Sequence, residues 1–133
     1  AVFALPEPRV GLAALAGGVH RLPRQIGLKN AMGMLLTGRR VSAEEGQQLG
    51  FVNEVVADGE LQEAAQALAL HIAEKSPIAL RRMKSVANAA ADKTRDDALR
   101  HEMYEFRKHQ RSWDMQEGLA AFAEKRKPRF QGR

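Results

Sequence analysis

The sequence predicts a mostly α-helical fold with one or two short strands at its start. Apolar residues make up 44% of the 133-residue chain but aromatic residues only 5%, so Ala, Leu, Val and Met dominate the apolar content. This composition favours closely packed helices, because Ala is the best helix former. Apolar residues also recur at helical spacing through most of the chain, whereas β-branched alternating segments are few and short.

The first part of the chain carries the strand signals. Residues 1–5 predict a short buried strand, and Pro6 and Pro8 are expected to keep the following backbone extended. Segment 19–38 predicts a helix that stops at Gly38. Its apolar positions are Leu28, Met32, Leu35 and Leu36.

A short helix and a second strand are predicted next. Ser42 and Glu45 have the spacing of a capping box, in which the Ser side chain accepts from the Glu amide, and Gly50 is expected to close the helix. Segment 51–57, "FVNEVVA", is β-branched and predicts a strand. Two short strands do not make a useful sheet, so the strand at residues 1–5 is expected to need partners from outside this chain.

The remainder predicts helices separated by caps. Asp58 is expected to cap a long helix, and Ser76 followed by Pro77 to begin the next one. Thr94 with Asp97 predicts a further helix start. Asp114 with Glu117 predicts a capping box for the last helix, which is expected to end before Pro128.

Composition and motifs exclude several classes of function. The chain has no cysteine, which fits a reducing compartment, and no apolar run near the ~20 residues of a bilayer span, so a cytoplasmic location is expected. The histidines have no metal-ligand spacing, which predicts no metal site. They are His20, His71, His101 and His109. No phosphate-binding loop, dinucleotide fingerprint or nucleophile elbow is present.

The basic tail "EKRKPRFQGR" leaves three interpretations open. The net charge is +5, and five of the ten tail residues are Lys or Arg. Such a run is most often a solvated, frayed end, but a phosphate-binding patch or a nucleic-acid arm would have the same composition. Single-stranded nucleic acid needs interleaved aromatic residues, and only Phe122 and Phe130 are near, so no nucleic-acid partner is expected.

Glu7 is the first candidate for chemistry. It lies between two prolines, which restrict the backbone and help to position the side chain. Gly17-Gly18 follows soon afterwards and would permit a close backbone approach to a ligand. From spacing alone, a solvated turn acid and an ordinary glycine turn remain the simpler explanations.

Three segments in order resemble the second half of an enoyl-coenzyme A (CoA) hydratase/isomerase, the crotonase family. They are "LPEPRVGLAALAGGVHRLPRQIG", "LTGRRVSAEEGQQLGFVNEVV" and "GLAAFAEKRKPRFQGR". The resemblance runs over residues 1–133 and implies a crotonase-like α/β fold, of which this chain would be a C-terminal fragment. Residues 1–57 would end the family's spiral of β-β-α units, and residues 58–133 would form its C-terminal helical region. Family members commonly form trimers or paired trimers, so a homo-oligomer is expected.

The resemblance assigns roles to individual residues. Glu7 matches the second active-site glutamate of the family, which with a partner glutamate handles water and a proton at the double bond of an acyl thioester. The partner and the two oxyanion amides would belong to the family's first half, so this chain alone is expected to lack hydratase activity. No cofactor is implied, because the acyl-CoA thioester is the substrate.

The substrate-binding loop departs from the family pattern. Many members read "PGAGG" where this chain has residues 14–18, "ALAGG", with Leu15 in place of the first glycine. The resemblance implies that Leu15, Gly17 and Gly18 lie at the acyl group, and the Leu15 side chain would narrow that pocket or shift the water. Isomerase, dehydratase and hydrolase reactions therefore remain alternatives to hydration.

The end of the last helix is implied to bind coenzyme A. Matching "AFAEKRKP" places Phe122 against the adenine and Lys125 at a phosphate, often in a neighbouring subunit. Phe122 also completes the apolar stripe of Met115 and Leu119, so a packing role is an equal alternative. The rival to an enzyme is a non-catalytic helical oligomerisation module that retains coenzyme A binding.

Overall fold

The computed structural model describes all 133 residues, which form seven α-helices, one 3₁₀ turn and a two-stranded sheet. They fall into two compact units, Ala1–Leu61 and Gln62–Arg133. The elements are β1 (Val2–Phe3), the 3₁₀ turn (Glu7–Val10), α1 (Gly18–Ile26), α2 (Leu28–Thr37), β2 (Val41–Ser42), α3 (Ala43–Leu49), α4 (Leu61–Ala73), α5 (Pro77–Ala90), α6 (Arg95–Gln110) and α7 (Trp113–Ala123). The assignment of residues 1–57 and 58–133 to a spiral core and a helical region remains a prediction.

The sheet of the first unit is smaller than the sequence suggested. β1 pairs antiparallel with β2, so that Val2 lies opposite Ser42 and Phe3 opposite Val41. The strand at residues 1–5 therefore has one two-residue partner within this chain, and its need for further partners from outside the chain remains a prediction. β1 is also exposed rather than buried, with Val2 65% accessible.

The helix predicted over residues 19–38 is two helices. Gly27 separates α1 from α2 with φ 78° and ψ 154°, a backbone conformation that breaks the helix and that glycine adopts without a Cβ clash. The predicted stop at Gly38 is confirmed, since Gly38 has φ 58° and its N–H donates to the Met34 carbonyl. The helix pattern was correct, but its interruption by one glycine was not recognised.

The buried apolar core of the chain lies mainly in the first unit. Its fully buried members come from α1, α2, β2 and the loop before α1, and α1 packs on α2. Four half-buried apolar side chains complete the cluster around them. The core consists of Ala14, Ile26, Ala31, Met34, Leu35 and Val41, with Leu5, Leu22, Leu49 and Phe51 at its edge.

The strand predicted over residues 51–57 is wrong, and α3 shows why. Ser42 accepts the Glu45 N–H at 3.2 Å, as predicted, but the N–H groups of Phe51 and Val52 both turn back to the Gly46 carbonyl, at 3.1 and 3.2 Å. These two N–H groups therefore cannot donate hydrogen bonds to a neighbouring strand. A Cβ at Gly46 would lie 2.8 Å from Val52 Cγ2, so the close return of the chain requires glycine at this position.

Helix starts in the second unit are mostly those that the sequence predicted. The side chains of Ser76 and Thr94 cap α5 and α6 by accepting the N–H groups of Ala79 and Asp97, each at 3.2 Å. Helix α4 begins at Leu61, three residues after the predicted cap. Helices α5 and α6 pack together, and α6 contacts α7.

The predicted cap of α7 is wrong. Ser112 rather than Asp114 is the N-cap, and its side chain accepts the Met115 N–H at 3.3 Å. Asp114 lies inside α7 and is only 1% exposed. No helix in the chain combines the length and the apolar character that a bilayer span requires.

Candidate active site and coenzyme-binding helix end

Glu7 begins a 3₁₀ turn rather than an extended segment. The turn Glu7–Val10 follows Pro6, whose carbonyl accepts the Arg9 N–H at 2.9 Å, and Gly11 ends it in the left-handed region with φ 74°. The expectation of an extended backbone is wrong here because this hydrogen bond closes the turn over Pro8. Proline still fixes the local φ angles, so the backbone under the Glu7 side chain is restrained.

The Glu7 carboxylate is incompletely satisfied. The residue is half-buried, and its Oε2 atom is buried without a hydrogen-bond partner in the chain. Buried carboxylate oxygens are nearly always hydrogen-bonded, and an exception calls for a specific explanation such as a bound group. Glu7 therefore offers one acceptor that a donor from outside this chain could occupy.

The glycine pair lies against the residues that lead to Glu7. A Cβ at Gly18 would lie 3.2 Å from Leu5 Cδ2 and 3.4 Å from the Ala14 Cβ, so the start of α1 packs directly on Leu5. Gly17 has φ 106°, which disfavours any residue with a side chain. These contacts give both glycines a structural reason, and their role beside an acyl group remains a prediction.

Leu15 is the exposed member of this loop. Its side chain is 75% accessible, and its N–H donates to the Ala13 carbonyl at 2.8 Å, so the amide is not free in this conformation. Ala14, by contrast, is in the core. The proposed narrowing of an acyl pocket by Leu15 would therefore come from its side chain.

Phe122 and Lys125 both lie at the C-terminal end of α7. Phe122 is 85% exposed, so within this chain it does not pack in the core as the apolar-stripe alternative required. Lys125 is also exposed and has φ 53°, the only positive φ outside glycine in the chain. The structure thus leaves an aromatic ring and a cation accessible three residues apart.

Asp114 is a buried charge whose role the sequence did not reveal. Its Oδ1 accepts the N–H groups of Gln131 and Gly132 at 2.7 and 3.0 Å, and its Oδ2 accepts the Ser76 hydroxyl at 2.8 Å. Burial alone would raise the pKa of this carboxyl, but these donors and nearby His109 outweigh burial and hold the pKa below its ordinary value. Asp114 therefore ties the C-terminal tail to the start of α5.

Glu117 holds the same tail from one turn further along α7. Its two oxygens accept from Arg126 Nη1 and Nη2 at 2.6 and 3.0 Å, and Oε1 also accepts the Arg129 N–H at 2.8 Å. The Arg126 guanidinium, followed by the Arg129 N–H, lowers the pKa of Glu117 to about 2. The tail is therefore held at its backbone rather than frayed, but it stays solvated: Lys127, which pairs with Glu74, is 79% exposed.

We expect the tail to be released in acid. Because the pKa values of Glu117 and Asp114 are lowered in the folded state, both groups contribute stability that is full above their ordinary values, near 4.5 and 3.8. That stability is lost as pH falls through the lowered pKa values, which for Glu117 is about 2. Trp113 is the only Trp and lies beside both carboxylates, with the Arg133 guanidinium 6.0 Å from its ring. Its fluorescence should be constant above about pH 5 and change between about pH 4.5 and 2. Glu117→Gln should reduce that change, and an unaltered titration in this variant would contradict the assignment.

No group of three or more His, Asp or Glu side chains is arranged to hold a metal ion. Each unit carries its own candidate: the Glu7 turn with its glycine loop in the first unit, and the end of α7 with its carboxylate-bound tail in the second.

Comparison with known proteins decides the family. The enoyl-CoA hydratase/isomerase family matches this chain over residues 1–133. The chain belongs to that family. Its fold is the crotonase-like one, mostly helical with a short two-stranded sheet, as the resemblance implied. An enoyl-CoA hydratase structure from Bacillus anthracis superimposes with a TM-score of 0.96 at 36% identity, over 100% of this chain and 52% of that one.

Other crotonase-family relatives agree. An enoyl-CoA hydratase structure from Mycobacterium tuberculosis has a TM-score of 0.95 at 35% identity, over 100% of this chain and 53% of that one. A carnitinyl-CoA dehydratase from Salmonella typhi is 39% identical over 137 residues, covering 100% of this chain and 52% of the relative. The chain thus spans about half the length of the curated relatives that it matches.

Proposed function

We propose that this chain is the C-terminal half of an enoyl-CoA hydratase and supplies one of its two catalytic carboxylates, Glu7. The observation that carries this proposal is the Glu7 side chain itself, fixed on a proline-restrained turn with Oε2 buried and unpartnered. A carboxylate with a free acceptor atom in a sheltered position is suited to take a proton from water or to hold that water. The order of the three sequence motifs supports the position in the second half, and the matches over about half of each relative are consistent with a part of a longer enzyme.

The proposed chemistry is the addition of water across the 2,3-double bond of an acyl thioester. One carboxylate takes a proton from water while the oxygen of that water bonds to C3. The other carboxyl group delivers a proton to C2. The negative charge that develops on the thioester oxygen is stabilised by two backbone amides. The second carboxylate and these amides belong to the part of the enzyme that this chain does not include, so the chain alone is proposed to be inactive.

Dehydration is the second candidate reaction. Relatives of this chain are named carnitinyl-CoA dehydratase. In such a reaction the same two proton positions would act in the opposite direction and remove water from a 3-hydroxyacyl thioester. Leu15 is the residue in this chain on which the choice is proposed to depend, because its exposed side chain replaces a family glycine beside the acyl group. Replacing Leu15 by Gly would widen the space for substituents on the acyl chain.

The substrate's coenzyme A is proposed to contact the end of α7. Phe122 offers a bare aromatic face to adenine, and Lys125 offers a cation to a phosphate. Exposed apolar side chains such as Val2 and Met83 also support assembly into a homo-oligomer, in which such surfaces would be covered. Trimers or paired trimers are the proposed assemblies of the complete enzyme.

We expect the 133-residue chain to bind CoA through Phe122. Phe122→Ala should weaken binding about 5- to 150-fold, since base–aromatic stacking is worth about 1–3 kcal/mol. Isothermal titration with CoA measures this, with Leu119→Ala as the matched control. Leu119 is an exposed apolar residue on the same helix, 61% accessible, and its replacement should change the affinity less than about two-fold.

A parallel titration with a DNA duplex across salt concentrations separates the remaining alternative. A nucleic-acid arm would bind the duplex tightly with a strong salt dependence. The proposal expects no such binding. Equal losses in Phe122→Ala and Leu119→Ala, or no CoA binding by the wild-type chain, would contradict the assigned contact.

A further inference from the structure

The turn after α7 has a geometry for which glycine is the usual residue. The Arg126 N–H donates to the Ala121 carbonyl at 3.0 Å, and the Lys125 N–H donates to the Phe122 carbonyl at 3.2 Å. These two bonds define a Schellman motif, whose central residue adopts the left-handed conformation and is most often glycine. Here that residue is Lys125, with φ 53°.

Other helix ends in the chain follow the usual rule. Helices α2 and α3 end at Gly38 and Gly50, which have φ values of 58° and 95°. Helices α5 and α6 end without a left-handed residue, at Ala91 and Arg111. Lys125 is therefore the one non-glycine residue with a left-handed backbone. Such a strained conformation persists only where the surrounding contacts hold it in place.

Glu117 provides the contacts that hold this turn. Its carboxylate accepts two hydrogen bonds from the Arg126 guanidinium and a third from the Arg129 N–H. Both partners follow Lys125 in the chain, whereas Glu117 precedes it by two helical turns. The ion pair thus closes a loop around Lys125 and prevents the last turn from relaxing.

Glu117 is well placed for such a role because it is sheltered. Its side chain is 10% exposed, whereas Glu124, which also pairs with Arg126, is 60% exposed and accepts no backbone N–H of the tail. A two-point hydrogen bond between a guanidinium and a carboxylate fixes orientation as well as distance. Of the two carboxylates on Arg126, Glu117 is the one that constrains the backbone.

We propose that Glu117 is a positioning residue that holds Lys125 in its left-handed conformation and so sets the direction in which the Lys125 side chain leaves the backbone, close to the Phe122 ring at the end of α7. Lys125 and Phe122 would thus be preorganised to contact a phosphate and the adenine of a CoA thioester before the ligand binds. Holding the groups in place beforehand lowers the ordering cost of binding. This inference rests on the proposed function, since it takes the coenzyme as the ligand.

Lys125→Gly separates strain from binding. Glycine accepts the left-handed conformation without a Cβ clash, so this variant should melt about 2–5 °C above the wild-type chain. It should nevertheless bind CoA about 3- to 10-fold more weakly, because the ammonium is lost. A lower melting temperature in Lys125→Gly would contradict the strain at this position.

A double-mutant cycle tests the positioning role. Glu117→Ala should weaken CoA binding about 3- to 10-fold in the wild-type background and less than about two-fold in Lys125→Ala, because its effect passes through Lys125. The dipolar coupling between HN and Hα within residue 125, measured as an NOE that is strongest at positive φ, should decrease and so show that the left-handed conformation is lost. Glu124→Gln is the matched control and should keep both the coupling and at least half of the affinity.

Each failure has a distinct cause. If the wild-type chain does not bind CoA, the proposed function fails, while the coupling at residue 125 still decides whether Glu117 fixes the turn. If Lys125→Ala weakens binding but Glu117→Ala weakens it equally in both backgrounds, the positioning role is wrong and the coenzyme contact stands. Glu117→Gln, which keeps the side-chain shape, replaces Glu117→Ala should the latter not fold, and the same criteria apply to it.

Discussion

Glu7→Gln is expected to lower kcat about 10²- to 10⁴-fold in a complete enzyme that contains this chain, with little change in KM. The factor is that of a positioned general acid or base. Gln has nearly the same shape as Glu and retains one acceptor oxygen, so the 3₁₀ turn should persist. What disappears is the ability of the side chain to exchange a proton with water or with C2 of the substrate.

A chimera makes this measurement accessible. In it, residues 1–133 replace the aligned 52% of the Bacillus anthracis enoyl-CoA hydratase, whose structure superimposes with a TM-score of 0.96. Hydration of crotonyl-CoA is followed by the loss of absorbance of the conjugated thioester. Glu54→Gln, at an exposed carboxylate of the same unit, is the matched control and should leave kcat unchanged.

The 133-residue chain by itself should hydrate crotonyl-CoA no faster than buffer. Hydration by the isolated chain that Glu7→Gln abolishes would overturn the proposal that half of the machinery lies elsewhere. A chimera that is active and remains equally active with Gln at residue 7 would instead remove Glu7 from the mechanism. The two results therefore test separate parts of the proposed function.

Local signals in the sequence were sufficient for most helix boundaries. The caps at Ser42, Ser76 and Thr94 involve partners three residues away, and all three were predicted correctly. Gly38 and Gly50 mark helix ends for an equally local reason, since glycine tolerates the left-handed conformation. Features of this kind depend on neighbours in sequence, which is why a single sequence reveals them.

The failures involve contacts that are distant in sequence or compete with local preference. Segment 51–57 has strand-like residues, but its first amides fold back on Gly46. Asp114 has the spacing of a capping residue, but its partners are 17 to 38 residues away, in the tail and at Ser76. Only the fold brings these groups together, so pattern alone favoured the wrong roles.

The candidate site divides in the same way. Glu7, Phe122 and Lys125 were identified through the resemblance of their motifs to a family, and the structure adds the unpartnered oxygen, the exposed ring and the left-handed backbone. For Glu117 the sequence pattern predicts only half of a capping box. Its contact with Arg126 spans nine residues, beyond the one turn that a helix pattern describes.

Asp114→Ala is expected to destabilise the second unit by about 3 kcal/mol, the range for breaking a buried hydrogen-bond network. The N–H groups of Gln131 and Gly132 would lose their acceptor, and the Ser76 hydroxyl would lose the carboxylate to which it donates. The Asp114 N–H also donates to the Arg133 carbonyl, so the tail is held at the backbone of α7 as well. Removing the side chain should therefore free the last residues before the helices unfold.

Graded substitutions distinguish the charge from the hydrogen bonds. Asp114→Asn can still accept both tail amides through its oxygen while its NH₂ group faces Ser76, so the loss should be smaller, about 1–2 kcal/mol. Ser76→Ala should cost about 1–2 kcal/mol, because it removes the α5 cap together with one hydrogen bond to Asp114. Urea unfolding followed by Trp113 fluorescence measures all three variants.

Asp114 binds both the C-terminal tail and Ser76, the N-cap of α5, and this shared role predicts how the losses of stability combine. Ser76 and Asp114 share one hydrogen bond, so Ser76→Ala should cost less in the Asp114→Ala background than in the wild-type chain. Glu102→Gln, at an exposed carboxylate on α6, is the control and should change stability by less than about 0.5 kcal/mol. If Asp114→Ala is as mild as this control, the tail is not anchored by the buried carboxylate, and the acid-induced change at Trp113 must then come from Glu117 alone.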